Sequence, residues 1–189
     1  MAFFFAIRLH YYFKCAKLFH GWYSTETIPK ESDYIKTDAT VAHILGMRLT
    51  IPILKEGGML MKFGFIGAGK VGFSLGKYLA DNNQNVVGYY SIINEEAIEA
   101  AKFTGSKYYE NMEQLVEDSE VLFLTVPDGQ IENLWNQLKS SHKNWMAKYN
   151  KPLLNNKIVC HCSGALSSDI FSNIAEYESL AILSIHSLQ

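Results

Sequence analysis

The stretch “MKFGFIGAGKVGFSLGKYL”, residues 61–79, decides the fold of this 189-residue chain. It opens with a short, mostly apolar run, Met61–Ile66, which is typical of a buried parallel strand. The run leads into Gly67-Ala68-Gly69-Lys70-Val71-Gly72, a complete G-x-G-x-x-G. Apolar residues at helical spacing follow at Val71, Leu75, Tyr78 and Leu79. A strand, a glycine turn and a helix in this order predict a dinucleotide-binding unit.

Each glycine of the motif meets a different physical demand. Gly67 permits the tight turn, Gly69 lets the backbone approach a pyrophosphate, and Gly72 lets the helix pack closely on its strand. The phosphates would bind the free N–H groups and the positive dipole end of the helix. Such hexapeptides also occur by chance in loops, so the strand–turn–helix setting carries the prediction.

The residues behind this unit continue the alternation of strands and helices. The predicted strands are “NVVGYYS” (85–91), “KYY” (107–109), “VLFLTV” (121–126), “KIVCHC” (157–162) and “LAILSIH” (180–186). Such alternation predicts an α/β fold with a doubly wound parallel sheet in the strand order 3-2-1-4-5-6. The most apolar of these strands, 121–126, is the expected centre of the sheet.

The helices between these strands are placed by their capping residues. Asn94, Asn111 and Asp128 each precede a helical pattern and can accept a hydrogen bond from its first turn. Residues 140–156 are predicted to be a polar connection, and Ser167 is predicted to cap a short helix. The inward face of the helix that starts near Asn94 is expected to comprise Ala97, Ile98 and Ala101.

In a sheet of this type the ligand lies outside the carboxyl ends of the strands. That rule selects the glycine loop, Ser91, Thr125–Asp128, His161–Gly164 and His186. Most of the chemically active side chains collect at these ends, which supports a site more strongly than any single motif does. The predicted cofactor-binding residues are Gly67, Ala68, Gly69, Lys70, Val71, Gly72, Ser91, Val126, Pro127 and Asp128.

The end of the second predicted strand bears on the choice between NAD and NADP. An acidic residue there would bind the ribose 2′-hydroxyl and would repel a 2′-phosphate. Ser91 repels neither, but no Arg follows it, and Glu95 and Glu96 are close in sequence. The sequence therefore predicts NADP or NAD as the cofactor, with a slight preference for NADP.

His161 lies between Cys160 and Cys162, so on a strand its side chain faces away from both thiols. A Cys/His metal site that includes His186 would need further ligands, and the sequence offers no C-x-x-C and no H-x-x-x-H pair. We therefore expect no metal. Two small buried thiols are the simpler interpretation of the cysteines.

The segment after this strand is a candidate substrate site. Ser163 and Gly164 offer a hydroxyl and backbone N–H groups to a carboxylate or carbonyl, and a plain Ser-Gly turn is the structural alternative. His186 can exchange a proton with a carbonyl or alcohol, because histidine titrates near neutrality; a structural histidine is the alternative. The predicted substrate contacts are His161, Ser163 and Gly164, and the predicted catalytic residues are His186 and Ser163.

Composition limits the classes of partner. The net charge of -2 supports neither nucleic acid nor an anionic membrane as a partner. Three cysteines form no disulfide framework, which favours a cytoplasmic location. No apolar run in the sequence reaches the roughly 18 residues needed to span a bilayer. The expected partner is a small-molecule substrate.

Residues 1–58 form an extension of different character, rich in aromatic residues at its start and without a steady helical period. The codons for “KEGGMLM” can resemble a bacterial ribosome-binding site that precedes a start codon. We therefore predict that Met59 or Met61 is the natural start and that the extension is a translated leader or a disordered segment. An interfacial anchor helix is the alternative.

Several motifs together are similar to bacterial Rossmann-like oxidoreductases that carry a C-terminal domain of unknown function. They are “MKFGFIGAGKVGFSLGKYL”, “GYYS”, “LFLTVPDGQI”, “VCHCSGALSSDIF” and “SIHSLQ”, in this order from Met61 to Gln189. More distantly, the chain resembles pyrroline-5-carboxylate reductases, deazaflavin-dependent NADP oxidoreductases and β-hydroxyacid dehydrogenases. In the last group a segment like Ser163-Gly164 contacts the substrate. The resemblance implies a Rossmann NAD(P)-binding domain over residues 59–189.

The chain also departs from this family. The family usually has an Arg near the position of Ile92 and a Pro at the position of Ser187. It continues into a helical domain that forms a homodimer and completes the substrate site, whereas this chain ends at Gln189. We therefore expect the chain alone to be inactive, and a homodimer only with that domain. The apolar strand “LAILSIH” would then be an aggregation-prone edge.

Two functions from different classes fit these observations. The first is the NAD(P)-binding domain of an oxidoreductase that transfers hydride between a nicotinamide cofactor and a small carbonyl, imine or hydroxy-acid substrate. The second is a noncatalytic nucleotide-binding module that acts as a sensor or scaffold. Because fold alone does not determine function, the choice depends on the site.

Overall fold

The computed structural model describes residues 5–8, 61–166 and 170–187. The strands in these ranges are β1 (Phe5–Arg8), β2 (Lys62–Ile66), β3 (Asn85–Tyr90), β4 (Lys107–Tyr108), β5 (Val121–Leu124), β6 (Ile158–His161) and β7 (Ala181–Ser187). The helices are α1 (Lys70–Asp81), α2 (Asn94–Thr104), α3 (Met112–Asp118) and α4 (Asp128–Tyr149), with a short 3₁₀ helix at Ile174–Glu176.

The strands form one sheet in the order β1-β7-β6-β5-β2-β3-β4. Strands β2 to β7 are mutually parallel. Read from β4 to β7, and counting from β2 as the first strand, their order is the predicted 3-2-1-4-5-6. The doubly wound α/β fold is thereby confirmed, and the carboxyl ends of these strands share one edge, where the candidate site lies.

The strand β1 was not predicted. It pairs antiparallel with β7, and Ile7 stands opposite Ile185 in the register. The expectation that the strand at 180–186 is the uncovered edge of the sheet is therefore wrong, because β1 lies outside it. Of the extension 1–58, residues 1–4 and 9–58 lie outside the described residues. The prediction that this extension is a leader or disordered stays a prediction.

Two apolar layers cover the two faces of the sheet. Side chains of β5 alternate between them: Val121 and Phe123 pack with α1 and α2, whereas Leu122 and Leu124 pack with α3 and α4. All four residues of this strand are buried, as predicted for the centre of the sheet. The helices thus fix both faces and leave the carboxyl edge as the place for a ligand.

Helix α4 is longer than predicted, because residues 140–149 continue it rather than forming a polar connection. Ser141 is buried at the inward face of this continuation and donates a 2.5 Å hydrogen bond to Glu113 Oε1. The ring of His142 lies 4.9 Å from that of Tyr177. The helix ends at Asn150, which adopts the left-handed conformation. These contacts keep the polar segment helical.

Of the four predicted N-caps, one is confirmed, two are wrong and one lies outside the described residues. Asn111 accepts a 3.1 Å hydrogen bond from the Gln114 amide, as expected of an N-cap. The N-caps of α2 and α4 are instead Ile93 and Pro127, and neither uses a side-chain bond, so the predictions for Asn94 and Asp128 are wrong. Ser167 lies outside the described residues.

One predicted core position of α2 is also wrong. Ile98 is 49% exposed, whereas Ala97, Ala100 and Ala101 are buried. Three small residues fill the contact with the sheet, and Ile98 is left on the solvent side of the helix.

Candidate dinucleotide site

The turn from β2 into α1 has the geometry that the glycine motif requires. Gly67 has φ 102°, a left-handed conformation that only glycine adopts without strain. Its N–H donates a 2.8 Å hydrogen bond to the carbonyl oxygen of Tyr90. A Cβ at Gly67 would stand 2.6 Å from the Thr125 carbonyl oxygen, so the protein itself fills that space.

Gly72 is also enclosed by the protein. A Cβ there would lie 2.3 Å from the Gly67 carbonyl oxygen and 2.6 Å from Thr125 Oγ1. Helix α1 therefore approaches the turn and the end of β5 more closely than any residue with a side chain would permit. This is the close helix–strand packing that the third glycine of the motif was predicted to allow.

Gly69 differs from the other two glycines. A Cβ built on it would meet nothing within 4 Å. Its φ of -65° and ψ of -172° are open to any residue, so the backbone conformation does not demand glycine here. Gly69 is the N-cap of α1, and its carbonyl oxygen accepts a 2.9 Å hydrogen bond from Phe73 N. The middle glycine thus borders open space at the positive end of a twelve-residue helix.

The end of β3 presents an apolar residue to solvent. The Ser91 hydroxyl is buried and accepts a 3.2 Å hydrogen bond from the Ile93 amide, so it stabilises the local turn. Ile92 is 91% exposed beside it. Glu95 and Glu96 occupy the first turn of α2. No positive charge therefore stands in the sequence immediately around the predicted ribose position.

The end of β5 lies against the glycine turn. Thr125 N donates a 2.9 Å hydrogen bond to the Ile66 carbonyl oxygen, which holds the two strand ends level. Val126 is half-buried, and its Cγ1 would lie 3.1 Å from a Cβ at Gly67. Pro127 and Asp128 are exposed at the start of α4. The structure thus brings Val126, the first residue of the second predicted cofactor-binding segment, beside the glycine turn.

His161 is buried in the core rather than exposed at the crevice. Its side chain is 0% exposed, and its ring centroid lies 5.5 Å from that of Phe171. It faces away from Cys160, as the strand pattern predicted. Burial at this depth does not favour direct contact with a substrate.

The two described thiols behave as small buried groups. Burial raises the pKa of Cys160 well above its ordinary value, and burial raises the pKa of Cys162 to about 12. Both are therefore protonated at neutral pH and are poor nucleophiles or metal ligands. Within the described part of the chain, no group of His, Cys, Asp and Glu side chains is arranged to hold a metal.

Ser163 follows β6 and is 3% exposed. Its Oγ accepts hydrogen bonds of 3.2 Å from the amides of Ala165 and Leu166, and its carbonyl oxygen accepts a 3.4 Å bond from Ser184 Oγ. This geometry is a serine turn, which matches the predicted structural alternative. Both lone pairs of the hydroxyl are used, and its own proton is left to donate. Gly164 is exposed.

The backbone register places His186 at the same end of the sheet. His161 stands opposite Ser184, so His186 lies two residues further towards the carboxyl edge, level with Ser163. The side chain of His186 lies outside the described residues.

The structure therefore joins the glycine turn to the end of β5. Along the same edge, it places the Ser163 turn at the end of the adjacent strand β6, and His186 in β7, one strand further. Thr125 was predicted only as part of a strand end. Its contacts with Gly67 and Gly72 join residues more than fifty positions apart in sequence, which no local pattern reveals.

Residues 62–146 match the model of the family described as “NADP oxidoreductase coenzyme F420-dependent”. The resemblance to Rossmann-like oxidoreductases is confirmed. The matched segment contains the glycine turn, Ser91 and the end of β5, which are the three predicted cofactor-binding segments. The matched part of the described domain is therefore similar to an NAD(P)-dependent oxidoreductase domain.

Two individual proteins are similar to parts of this chain. Over 75 residues, the chain is 35% identical to “Putative 6-phosphogluconate dehydrogenase YqeC” of Bacillus subtilis (strain 168), which corresponds to 38% of this chain and 25% of that protein. The crystal structure of “putative NADP oxidoreductase BF3122” from Bacteroides fragilis aligns with a TM-score of 0.52 at 16% identity, over 69% of this chain and 44% of that chain. At this identity the second match shows the fold alone. The chain spans less than half the length of both relatives.

Among the helices of the described residues, none has both the length and the apolar composition of a membrane span.

Proposed function

We propose that residues 59–189 bind NADP or NAD at the glycine turn and form the cofactor domain of an oxidoreductase. One observation carries the proposal. Gly67 and Gly72 are enclosed by protein atoms, whereas Gly69 borders open space at the amino end of α1. A glycine that neither φ nor the surrounding protein requires is explained by a ligand that approaches the backbone there.

The residues of the turn fit a pyrophosphate. The first-turn N–H groups of α1 would donate to its oxygens, and the helix dipole favours its negative charge. Lys70 is exposed at the start of this helix and adds a positive charge. Val126 and Pro127 would border the rest of the dinucleotide, and Asp128 would meet it at the start of α4.

When bound, the nicotinamide would supply the hydride chemistry. We propose a small carbonyl, imine or hydroxy-acid substrate. The role of the Ser163 turn would be to orient it: amides of Ala165 and Leu166 occupy the lone pairs of Oγ, so the hydroxyl proton points to an acceptor such as a carbonyl oxygen. The exposed Gly164 would offer backbone contact, and His186 would exchange a proton with the same oxygen. His161 packs on Phe171 in the core, and we propose no substrate contact for it.

The choice of cofactor rests on weak forces. Ser91 carries no charge that would repel a 2′-phosphate. It therefore admits NADP, which an acidic residue at this position would disfavour. The exposed Ile92 supplies no cation, and Glu95 and Glu96 act in the opposite direction. We propose that both cofactors bind, with a slight preference for NADP.

A noncatalytic nucleotide-binding module is the second candidate. The low exposure of Ser163 and its two internal hydrogen bonds favour a purely structural serine, and an enzyme would then lack one of its proposed substrate contacts. A further helical domain, a homodimer and a cytoplasmic location belong to the oxidoreductase proposal, as the family resemblance implies.

Calorimetric titration of the full chain with NADPH and NADH tests cofactor binding. The Gly69→Asp variant should lose roughly a hundredfold or more in affinity, because a carboxylate would occupy the place of the pyrophosphate. Ser140→Asp, which adds the same charge at an exposed position of α4, should bind like the parent. Equal binding by Gly69→Asp and the parent would exclude the glycine turn as the phosphate site.

Turnover of a full-length homologue separates the two candidate functions. The substitutions matching Ser163→Ala and His186→Ala should each reduce kcat, while the affinity for NADPH stays unchanged. Intact turnover in both variants would remove the proposed roles of these side chains. Nucleotide binding without turnover of any small carbonyl, imine or hydroxy acid would favour the noncatalytic module.

A further inference from the structure

Thr125, at the end of β5, is bonded to the glycine turn by both its backbone and its side chain. Its Oγ1 donates to the Gly67 carbonyl oxygen at 2.6 Å and lies 3.3 Å from the Ile66 carbonyl oxygen. Its backbone N–H donates to the same Ile66 oxygen at 2.9 Å. The residue is 9% exposed. Its hydroxyl therefore lies beneath the turn, on the side away from solvent.

This hydroxyl determines the orientation of one peptide group. The carbonyl of Gly67 and the N–H of Ala68 belong to the same planar trans peptide, so they point in opposite directions. Because Oγ1 holds the carbonyl oxygen on its own side, the Ala68 N–H points the opposite way, away from Thr125. Without this bond the peptide would be freer to rotate, because Gly67 has no Cβ to restrict its ψ.

The packing around the bond leaves little room for another arrangement. The Gly67 oxygen lies 2.3 Å from the position of a Cβ on Gly72, and Thr125 Oγ1 lies 2.6 Å from that same position. The Gly67 carbonyl oxygen and the Thr125 hydroxyl thus both contact the Cα of Gly72 closely, under the amino end of α1. A carbonyl oxygen that rotated outward from this point would present negative charge to an approaching phosphate.

We propose that Thr125 is a positioning residue for the dinucleotide and acts through the Gly67 carbonyl. It keeps the carbonyl oxygen away from the phosphates and presents the Ala68 N–H to them. The inference rests on the proposed function, because it assigns Thr125 to the phosphate site at the glycine turn. Thr125 does not touch the ligand itself in this role, which distinguishes it from Val126 to Asp128.

The test compares three threonine variants of the full chain in calorimetric titrations with NADPH, alongside thermal unfolding. Thr125→Val keeps the shape and removes the hydroxyl, and it should bind NADPH about tenfold more weakly. Thr125→Ser keeps the hydroxyl and should bind within about twofold of the parent. Thr104→Val is the matched control, because Thr104 Oγ1 also donates to a carbonyl, that of Ala100 at 2.9 Å, but lies in α2. It should lower the melting temperature without changing affinity.

The outcomes separate this role from the proposed function. A parent that binds NADPH, together with a valine variant that binds equally well, would overturn the role of Thr125 alone. A Thr125→Ser variant that binds NADPH as weakly as Thr125→Val would also overturn this role, since the hydroxyl would then not be the group that supports binding. A parent that binds neither NADPH nor NADH would overturn the proposed function, and the role of Thr125 with it.

Discussion

Gly76 of α1 lies directly against the hydroxyl of Tyr89 in β3: a Cβ at Gly76 would stand 1.7 Å from that oxygen and 2.8 Å from the ring carbon that bears it. Tyr89 is 0% exposed, and its ring stacks on Phe65 at a centroid distance of 5.0 Å. The ring cannot move aside without disturbing the core. Helix α1 thus packs close to the sheet because Gly76 has no side chain.

Gly76→Ala should therefore destabilise the protein. The substitution gains about 1 kcal/mol in helix propensity, but overpacking a core costs about 1–3 kcal/mol, and the enclosed Tyr89 makes the upper part of that range the relevant one. We expect a lower free energy of unfolding in urea. Adding Tyr89→Phe, which removes the obstructing oxygen, should recover part of the loss; no recovery would show that the clash lies elsewhere.

Gly69→Ala should separate binding from stability. A methyl group at Gly69 meets no protein atom within 4 Å, so the melting temperature should stay within about 1 °C of the parent. The methyl group would occupy space that the pyrophosphate needs, and affinity for NADPH should fall about tenfold. Calorimetry and thermal unfolding on the same samples check both values. An alanine variant that binds as tightly as the parent contradicts the placement of the ligand.

Ile92→Arg should shift the balance between the two cofactors. Ile92 is 91% exposed next to the predicted ribose position, so a guanidinium there can reach a 2′-phosphate without strain on the fold. We expect the ratio of NADPH to NADH affinity to rise roughly tenfold. Ile92→Gln, of similar length without the charge, should leave the ratio unchanged. A ratio that stays constant in the arginine variant would place the 2′-phosphate away from this residue.

His142 should make the protein less stable in mild acid. Its Nδ1 accepts a 3.1 Å hydrogen bond from Leu154 N, which requires the unprotonated nitrogen. Burial lowers the pKa of His142 below its ordinary 6.5, so the unfolded chain binds the proton more readily than the folded chain. Stability is therefore highest above pH 6.5 and falls as the pH drops below it towards the lowered pKa.

The measurement is the urea midpoint at pH 7 and pH 5 for the parent and for His142→Gln. Glutamine can accept the Leu154 bond but does not titrate in this range. Its midpoint should fall less than that of the parent on acidification. Equal decreases would show that groups other than His142 account for the acid sensitivity.

Much of the fold could be predicted from the sequence because its signals are local. The glycine hexapeptide between an apolar run and a helical pattern predicted the turn at Gly67, and strand–helix alternation predicted the order of the six parallel strands. The opposite orientation of His161 and Cys160 follows from the two-residue period of a strand.

Other features depend on contacts that no local pattern contains. The carboxyl half of α4 has mostly polar residues, and only the contacts of Ser141 with Glu113 and of His142 with Tyr177 show why it stays helical. The depth of His161 depends on Phe171, ten residues further along the chain. The bond from Thr125 to Gly67 spans 58 positions. Each of these contacts joins two segments that are separate in sequence, so it forms only in the packed structure.

The antiparallel pair of β1 and β7 has a consequence for folding during synthesis. Phe5 stands opposite Ser187, so the earliest described strand pairs with the latest one. At about 5–20 residues per second, the ribosome needs on the order of ten to forty seconds to make the intervening chain. Strands β2 to β6 can assemble in that interval, while β1 has no partner. In a chain translated from Met1, the first of the described strands to leave the ribosome is therefore the last to find its partner.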